Sequence, residues 1–491
     1  MLGQMFAYPK QDLVAGIVVF LVALPLCLGI AVASGVPPVS GLVAGIVGGL
    51  VVPFLSRSSL SVSGPAAGLA AIVLVEVEAI GLPAFLTAVI LAGLMQVAFG
   101  VLKTGVYSTL VPSSVIKGML AAIGATIVLK QVPTALGVKT LSEIATYVHP
   151  GSAVIAVVSL VVLYAWRASP LQRVYWLPPA LVVVALATGL SELFGAFAPA
   201  LALEPKHLVS VPTGGLFSLA SALPRPTLGA LPEVSTWVVA ATIAIVASLE
   251  TLLSVQAVDR LDPLHRRSPP DTELVAQGLG NIVSGLLGGL PITSVIVRSG
   301  ANVAAGGRER FAAVVHGVLL FVAVVGLAPL LNHIPLAVLA AVLIQIGLTL
   351  CRVSLWQEQY RLGFDQFAPF AITVAAILYE DLLVGVTIGI VVGIGFVLRH
   401  TARGTVAVRE EGGKWLFHLR RDGTFVAKAA LQSAFDRVPD SGHAILDASG
   451  EYMDHDMKEL VAAFQVEARR RNIDFSVLGL DLKGVTGGGA H

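Results

Sequence analysis

The stretch Gly288-Gly-Leu-Pro-Ile-Thr-Ser-Val-Ile-Val-Arg-Ser-Gly-Ala-Asn302 decides how the chain is read. It lies in an apolar region, yet it holds a Gly-Gly-x-Pro break, a hydroxyl pair at Thr293 and Ser294, and Arg298 about one turn further on the same face. A helix that only spans a membrane needs none of these. Backbone freed by a break is tolerated at membrane depth only where protein buries it or where it lines a wet cavity. A broken, polar, positively charged segment at this depth predicts a binding site for something negative.

The surrounding composition places the segment in a membrane. Of 491 residues, 56% are apolar and 12% charged, and mean hydropathy is +0.87, far from the roughly 25% charge of soluble domains. About two fifths of the charges follow Arg403, in under a fifth of the chain, so a membrane body is expected to carry a soluble C-terminal domain. A net charge of +1, with no basic run interleaved with aromatics, gives no case for nucleic acid. Cys27 and Cys351 read as small apolar packing residues, since a disulfide framework needs more cysteines in a small secreted context. No CxxC, HExxH or Walker-type sequence marks a metal or nucleotide site. No nucleophile and base pair points to an enzyme, and His316 and His333 read as a cytoplasmic and an outer helix-end residue. Near the N-terminus, Lys10, an apolar run and Ala31-Val-Ala33 imitate a secretory signal. Asp12 and Pro25 interrupt that pattern, and a first spanning helix is the better expectation.

Apolar segments long enough to cross the hydrocarbon, or half of it, fall at 13–34, 41–55, 65–77, 84–102, 113–129, 153–166 and 177–194. After a Pro-rich interval they resume at 237–255, 274–287, 293–304, 311–331, 337–350, 367–378 and 383–398, about fourteen in all. Alternate connections hold Arg57, Lys103, Arg167 with Arg173, Arg260 with Arg266 and Arg267, Arg308 with Arg310, Arg352 with Arg361, and Arg399 with Arg403. The positive-inside rule then puts both termini in the cytoplasm. The charged loop from Arg260 through Asp262 and His265 to Arg267 needs no other role than setting this topology.

The third and tenth segments are both short and both follow a break, Ser61-Val-Ser-Gly-Pro65 and Gly289-Leu-Pro-Ile-Thr-Ser294. Halves with an odd number of segments insert with opposite topology, so the two breaks should meet near the midplane from opposite sides. Pro65 suits the first turn of the third helix. Each start offers unpaired N–H groups and a positive dipole end, to which Ser61, Ser63, Thr293 and Ser294 add hydroxyls and Arg298 a charge. The alternative is that the hydroxyls bond back to helix carbonyls and Arg298 snorkels. Glu250 lies well inside the eighth segment, with Ser254 one turn on. A carboxylate there is expected to bind a coupling proton, to share an ion site with Ser254, or to pair with Arg298.

Together, Ala23-Leu-Pro25 with Gly35-Val-Pro-Pro38, Ser63-Gly-Pro65, Ser248-Leu-Glu-Thr-Leu-Leu-Ser254, Gly289-Leu-Pro291 and Arg298-Ser299 resemble the SulP family of anion transporters. The resemblance covers nearly the whole chain. It implies a polytopic α-helical fold of two inverted seven-segment repeats, about 10–197 and 235–400 of a transmembrane domain at 1–402. A core of segments one to four and eight to eleven would move elevator-fashion against a gate domain. It further implies a homodimer and a cytoplasmic α/β STAS domain at 403–485 before a tail at 486–491. The implied anion site is lined by Ser63, Gly64, Pro65, Ala66, Thr293, Ser294 and the end of the first helix, near Cys27, with Glu250 at the acidic position of the eighth helix. Relatives with an aspartate there bind sodium; glutamate looks more like proton coupling, so H+ and Na+ both stay open. Many members carry Gln and Tyr where this chain has Leu26 and Ile30, which favours a small anion, bicarbonate or sulfate, over a dicarboxylate. Passive conduction and a membrane sensor remain competing readings. In the C-terminal part, 414–419, 444–446 and 475–478 read as strands, and 457–471 as a helix with Leu460, Val461, Phe464 and Val466 inward. Its Asp454-His-Asp456 turn lacks the phosphorylatable serine of signalling relatives.

Overall fold

The computed structural model describes residues 5–106, 111–138, 140–169, 178–380, 382–420, 422–449 and 452–480. The expected tail and Arg173 lie outside these, as do the side chains of Arg167 and Arg403. The chain forms two compact units, 1–362 with 370–387, and 363–369 with 388–491.

Apolar helices dominate the first unit, and many begin on a proline whose missing N–H is lost at no cost in the first turn. In order they are α1 (Pro9–Ala33), α2 (Pro38–Leu50), α3 (Ala70–Ile80), α4 (Leu82–Val101), α5 (Ser113–Ala135), α6 (Pro150–Ala168) and α7 (Pro179–Phe197). Then come α8 (Val234–Leu261), α9 (Pro270–Leu286), α10 (Ile296–Ala304), α11 (Phe311–Gly326), α12 (Leu336–Leu350), α13 (Phe364–Tyr379) and α14 (Leu382–Thr405), the last two contributing to both units. Among the described residues, seven helices are long and apolar enough to cross a membrane by themselves. The interval between α7 and α8 holds short 3-10 turns and the helix Gly215–Ala222.

Packing follows the two-fold relation expected of inverted repeats. The pairing of α4 with α9 is matched by α11 with α2, and that of α1 with α11 by α8 with α4, each helix being exchanged for the one seven places away. The α5–α12 pair maps onto itself. Glycines make the crossings possible: a Cβ on Gly93 would lie 2.5 Å from the Gly278 carbonyl, and one on Gly49 would lie 2.6 Å from the Gly317 Cα. The same backbone approach thus occurs on both sides of the pseudo-axis, as small residues allow between membrane helices.

Two expected helix boundaries are corrected. Ser63–Pro65 is a strand, β1, and Ile292–Ser294 another, β2, paired antiparallel as Ser63 with Ser294, Gly64 with Thr293 and Pro65 with Ile292. Pro65 therefore ends a strand and does not open the third helix, which starts with a 3-10 turn at Ala67–Leu69 before α3. Thr293 and Ser294 likewise precede α10. A loop expected only to set topology is also a built structure. Arg266 bonds Asp262 at 2.7 Å, Glu309 at 2.6 Å and the Arg308 carbonyl at 2.8 Å. Asp12 accepts the Arg308 and Glu309 N–H groups, and Glu273 accepts those of Arg57 and Ser58.

The second unit contains a four-stranded sheet in the order β3 (Val406–Glu411), β4 (Lys414–Leu419), β5 (His443–Asp447), β6 (Asp474–Leu478). The β3–β4 pair is antiparallel and the others parallel. Parallel neighbours need crossovers, and α15 (Lys428–Phe435) and α16 (His455–Arg470) lie between these strands in sequence. Phe417, Leu431, Phe435, Leu446, Val461 and Phe464 form its core. Asp454 caps α16 by accepting the Met457 N–H at 2.9 Å. The inward face of α16 is Met457, Val461, Phe464 and Ala468, while Val466, expected inside, is 53% exposed.

Candidate functional site: two helix starts joined by a strand pair

Alternation along β1 and β2 sorts the expected site residues onto two faces, because partners across an antiparallel pair point the same way. On one face stand Gly64, Thr293 and the guanidinium of Arg298. A Cβ added to Gly64 would overlap the Arg298 Nη1, so only glycine lets the arginine lie against β1. On the other face, Ser63 Oγ accepts from Gln277 Nε2 at 2.6 Å, and Ser294 Oγ shares a 2.5 Å hydrogen bond with Ser61 Oγ. The four hydroxyls expected to act together are thus split by the strands that carry them. No helix carbonyl of their own is available to residues in strands. Back-bonding falls instead to Ser299, whose Oγ donates to the Val295 carbonyl at 2.8 Å while accepting the Val62 N–H at 2.9 Å.

Arg298 does not snorkel: it is fully buried, on the first turn of α10. Nor does it lie a helical turn beyond Ser294, because α10 starts only at Ile296. Its Nη2 makes a 3.3 Å bond to the Pro65 carbonyl, while Nε and Nη1 have no oxygen or nitrogen partner among the described residues. The Cys27 thiol faces it from α1. Thr293 is fully buried too, and its Oγ1 lacks a partner among the described residues. Neither α10 nor the 3-10 turn that opens α3 is capped by a side chain, which leaves N–H groups at both starts for a ligand.

The Glu250–Arg298 ion pair, one of the three readings of that carboxylate, is absent among the described residues, and Glu250 faces the other helix start. A Cβ on Gly68 would lie 2.9 Å from Glu250 Oε1, which places the carboxylate against the turn opening α3. Its Oε2 is buried without a hydrogen-bond partner among the described residues. Ser254 is buried one turn further along α8, but the α8 hydroxyl that reaches a strand is Thr251, whose Oγ1 accepts the Ser294 N–H at 3.4 Å. His316 is also corrected. It lies in mid-α11, fully buried near Arg298, not at a helix end. His333 is exposed and bonded to Glu192 at 2.6 Å.

Sequence reasoning missed the polar stripe of α9. Gln277, Asn281 and Ser284 recur at helical spacing in an apolar segment, the signal that would have found them. Asn281 accepts the Ile292 N–H at 2.6 Å, returns a bond to the Ile292 carbonyl at 3.0 Å, and donates to Gln96 Oε1 at 2.7 Å. Gln96 in turn donates to Ser248 Oγ at 3.3 Å, and Ser284 Oγ donates to the Leu290 carbonyl at 2.6 Å.

The model of the sulfate permease family matches residues 10–373, most of the chain and both helix starts. The chain belongs to the sulfate permease family. Among relatives of this sulfate permease homologue is the putative sulfate transporter YvdB of Bacillus subtilis (strain 168), 28% identical over 400 residues, with 81% of this chain and 75% of that protein covered. Another is the bicarbonate transporter BicA of Picosynechococcus sp., 26% identical over 406 residues, covering 79% and 68%. Among solved structures, the transmembrane domain of a cyanobacterial bicarbonate transporter BicA superposes with a TM-score of 0.65 at 25% identity, over 79% of this chain and 98% of that one. The overall structure of SLC26A9 reaches 0.79 at 15% identity, over 97% and 85%, a likeness of fold alone. The fold is therefore that of a polytopic sulfate permease family membrane protein.

Proposed function

We propose that this member of the family is a secondary active transporter of a small inorganic oxyanion, bicarbonate or sulfate. The observation that carries the reading is Arg298: a buried guanidinium, two of whose nitrogens have no oxygen or nitrogen partner among the described residues, on the positive end of a helix and beside the Thr293 hydroxyl, which has no partner among them either. Buried unpaired charge costs several kcal/mol, and a cation at a helix N-terminus adds to that. An anion between the two helix starts relieves both terms. Ser63, Gly64, Pro65, Ala66, Thr293, Ser294 and Arg298, with Cys27 from α1, form the proposed site and its walls, the strands contributing backbone where their side chains face away. The relatives named for sulfate and for bicarbonate support this substrate class and leave the two anions open.

Glu250 is the proposed coupling group. Ionised, it occupies the α3 start as a competing negative charge; neutralised by H+, or screened by Na+ held with Ser254, it frees that start for the anion. Anion and cation then move together. The segregation of helices into a set containing α1, α2, α4, α8, α9 and α11 and a set containing α5, α6 and α12 supports a core that travels elevator-fashion against a gate. The second unit is proposed to be a cytoplasmic STAS-like domain over 403–485, serving a homodimer in the cell membrane with both termini cytoplasmic.

Flux of labelled sulfate and of labelled bicarbonate into proteoliposomes tests this reading. Uptake of one of them, driven by a pH or sodium gradient, is the expected result. Flux that follows voltage alone establishes a passive channel, and binding without flux establishes a sensor.

A further inference from the structure

We infer that Asn281 and Gln277 of α9 are positioning residues that aim the site's donors, and that α9 acts as a brace holding one strand with each of two successive turns. The inference rests on the anion site proposed above and adds residues to it that do not touch the anion.

The two residues are four apart and so lie on one helix face. Gln277 reaches β1, through Ser63 Oγ at 2.6 Å. Asn281 reaches β2, through both backbone groups of Ile292. Its amide meets the strand as a third strand would, with one acceptor for the N–H and one donor for the carbonyl. The orientation of Asn281 is fixed by chemistry, because the Ile292 N–H can only donate and so must meet the amide oxygen. The Nδ2 group then donates to Gln96 Oε1, and Gln96 Nε2 to Ser248 Oγ. Each step fixes the next, so three helices, α9, α4 and α8, hold one residue of β2 by both of its backbone groups.

That residue directly precedes Thr293, whose hydroxyl, without a partner among the described residues, stands on the opposite face, with Arg298. A strand of three residues paired to another of three has little register energy of its own, and a one-residue slip would turn Thr293 away from Arg298. The register is instead held by side chains of α9, each fully buried. Gln277 holds β1 in the same way, its side-chain amide bonded to Ser63 Oγ at 2.6 Å.

The experiment uses the full chain in proteoliposomes, with Asn281→Leu and Gln277→Met, each alone and combined with Thr293→Ala and Ser63→Ala respectively. For whichever labelled anion, sulfate or bicarbonate, the wild type carries, KM is expected to rise about tenfold in Asn281→Leu, the scale of one buried hydrogen bond, with maximal flux retained. The loss should largely vanish when Thr293 is already alanine, since Asn281 acts through it. A merely structural role would instead lower thermal stability and leave KM unchanged whether or not Thr293 is alanine; that outcome overturns the inference while wild-type flux upholds the proposed site. If Asn281→Leu fails to fold, the cycle of Gln277→Met with Ser63→Ala decides: coupling in KM supports the brace, and independent effects overturn it. A wild type that shows neither flux nor thermal stabilisation by either anion overturns the site and the brace together.

Discussion

A guanidinium on the first turn of a helix is opposed by the helix dipole, and burial removes the water that would compensate it. Arg298 meets both conditions and has no carboxylate partner among the described residues. Replacing it should therefore weaken anion binding more than it weakens the protein. Arg298→Ala is expected to raise KM by roughly 10- to 150-fold, the equivalent of about 1.5–3 kcal/mol for a charged hydrogen-bonding group, while thermal stability without anion stays level or rises. Transport kinetics and melting of the purified protein, measured side by side, check this. Glu250 carries the complementary prediction. Glu250→Gln keeps the shape of a protonated carboxyl and removes its titration, so anion exchange between the two sides should persist while accumulation against a gradient is lost. Counterflow and gradient-driven uptake of the same labelled anion separate the two. Retained gradient-driven uptake would exclude Glu250 as the coupling group.

At the scale of elements, short helices α3 and α10 matter because they end in the middle of the protein. Eleven residues of α3 cover about 16 Å, roughly half the hydrocarbon thickness, and the nine of α10 less. The β1–β2 pair joins their starts, and α9 fixes both strands. The helices around them approach closely through glycine. A leucine at Gly93 would drive its Cβ into the Gly278 backbone, and rigid backbone cannot yield as a side-chain tip can. Gly93→Leu is expected to cost at least about 1–3 kcal/mol and to lower the melting temperature. By the pseudo-two-fold relation, Gly49→Leu should cost a similar amount at the α2–α11 crossing. Melting curves of both variants in detergent test whether the crossings are equivalent. In the second unit, Asp454→Ala should cost about 1 kcal/mol by removing the α16 N-cap, read as a loss of far-UV signal at lower denaturant.

At the scale of the whole molecule, the relation between the halves explains why the site is built from two dissimilar stretches. Opposite insertion brings β1 and β2 together antiparallel, and each half contributes one start. Their charges differ: Arg298 stands at one, Glu250 near the other. The topology itself is testable. Reporter fusions at the two termini and in the α7–α8 interval should place both termini on the cytoplasmic side and the interval outside. Termini on opposite sides would contradict the inverted arrangement of the halves.

Hydropathy alone placed the membrane helices, because a span must be apolar over most of its length. Gly- and Pro-containing breaks at matched places in the two halves pointed to the two helix starts, which lie a few residues beyond them, because freed backbone at that depth needs a purpose. Alternation marked the strand 414–419, and short apolar runs marked 444–446 and 475–478, each within a strand found. Tertiary structure alone decided which groups meet. The spacing of Ser294 and Arg298 suggests one helical face, but strand pairing puts Ser294 and Arg298 on different faces. Glu250 and Arg298 look like a pair when only their charges are known, yet each is drawn to a different helix start. Gln277 and Asn281 look like stray polar residues in α9 until their partners, over two hundred positions away for Gln277, are seen. Local periodicity reports which face of an element is apolar; it carries no information about which distant face that element will meet, and the proposed site is made of such meetings.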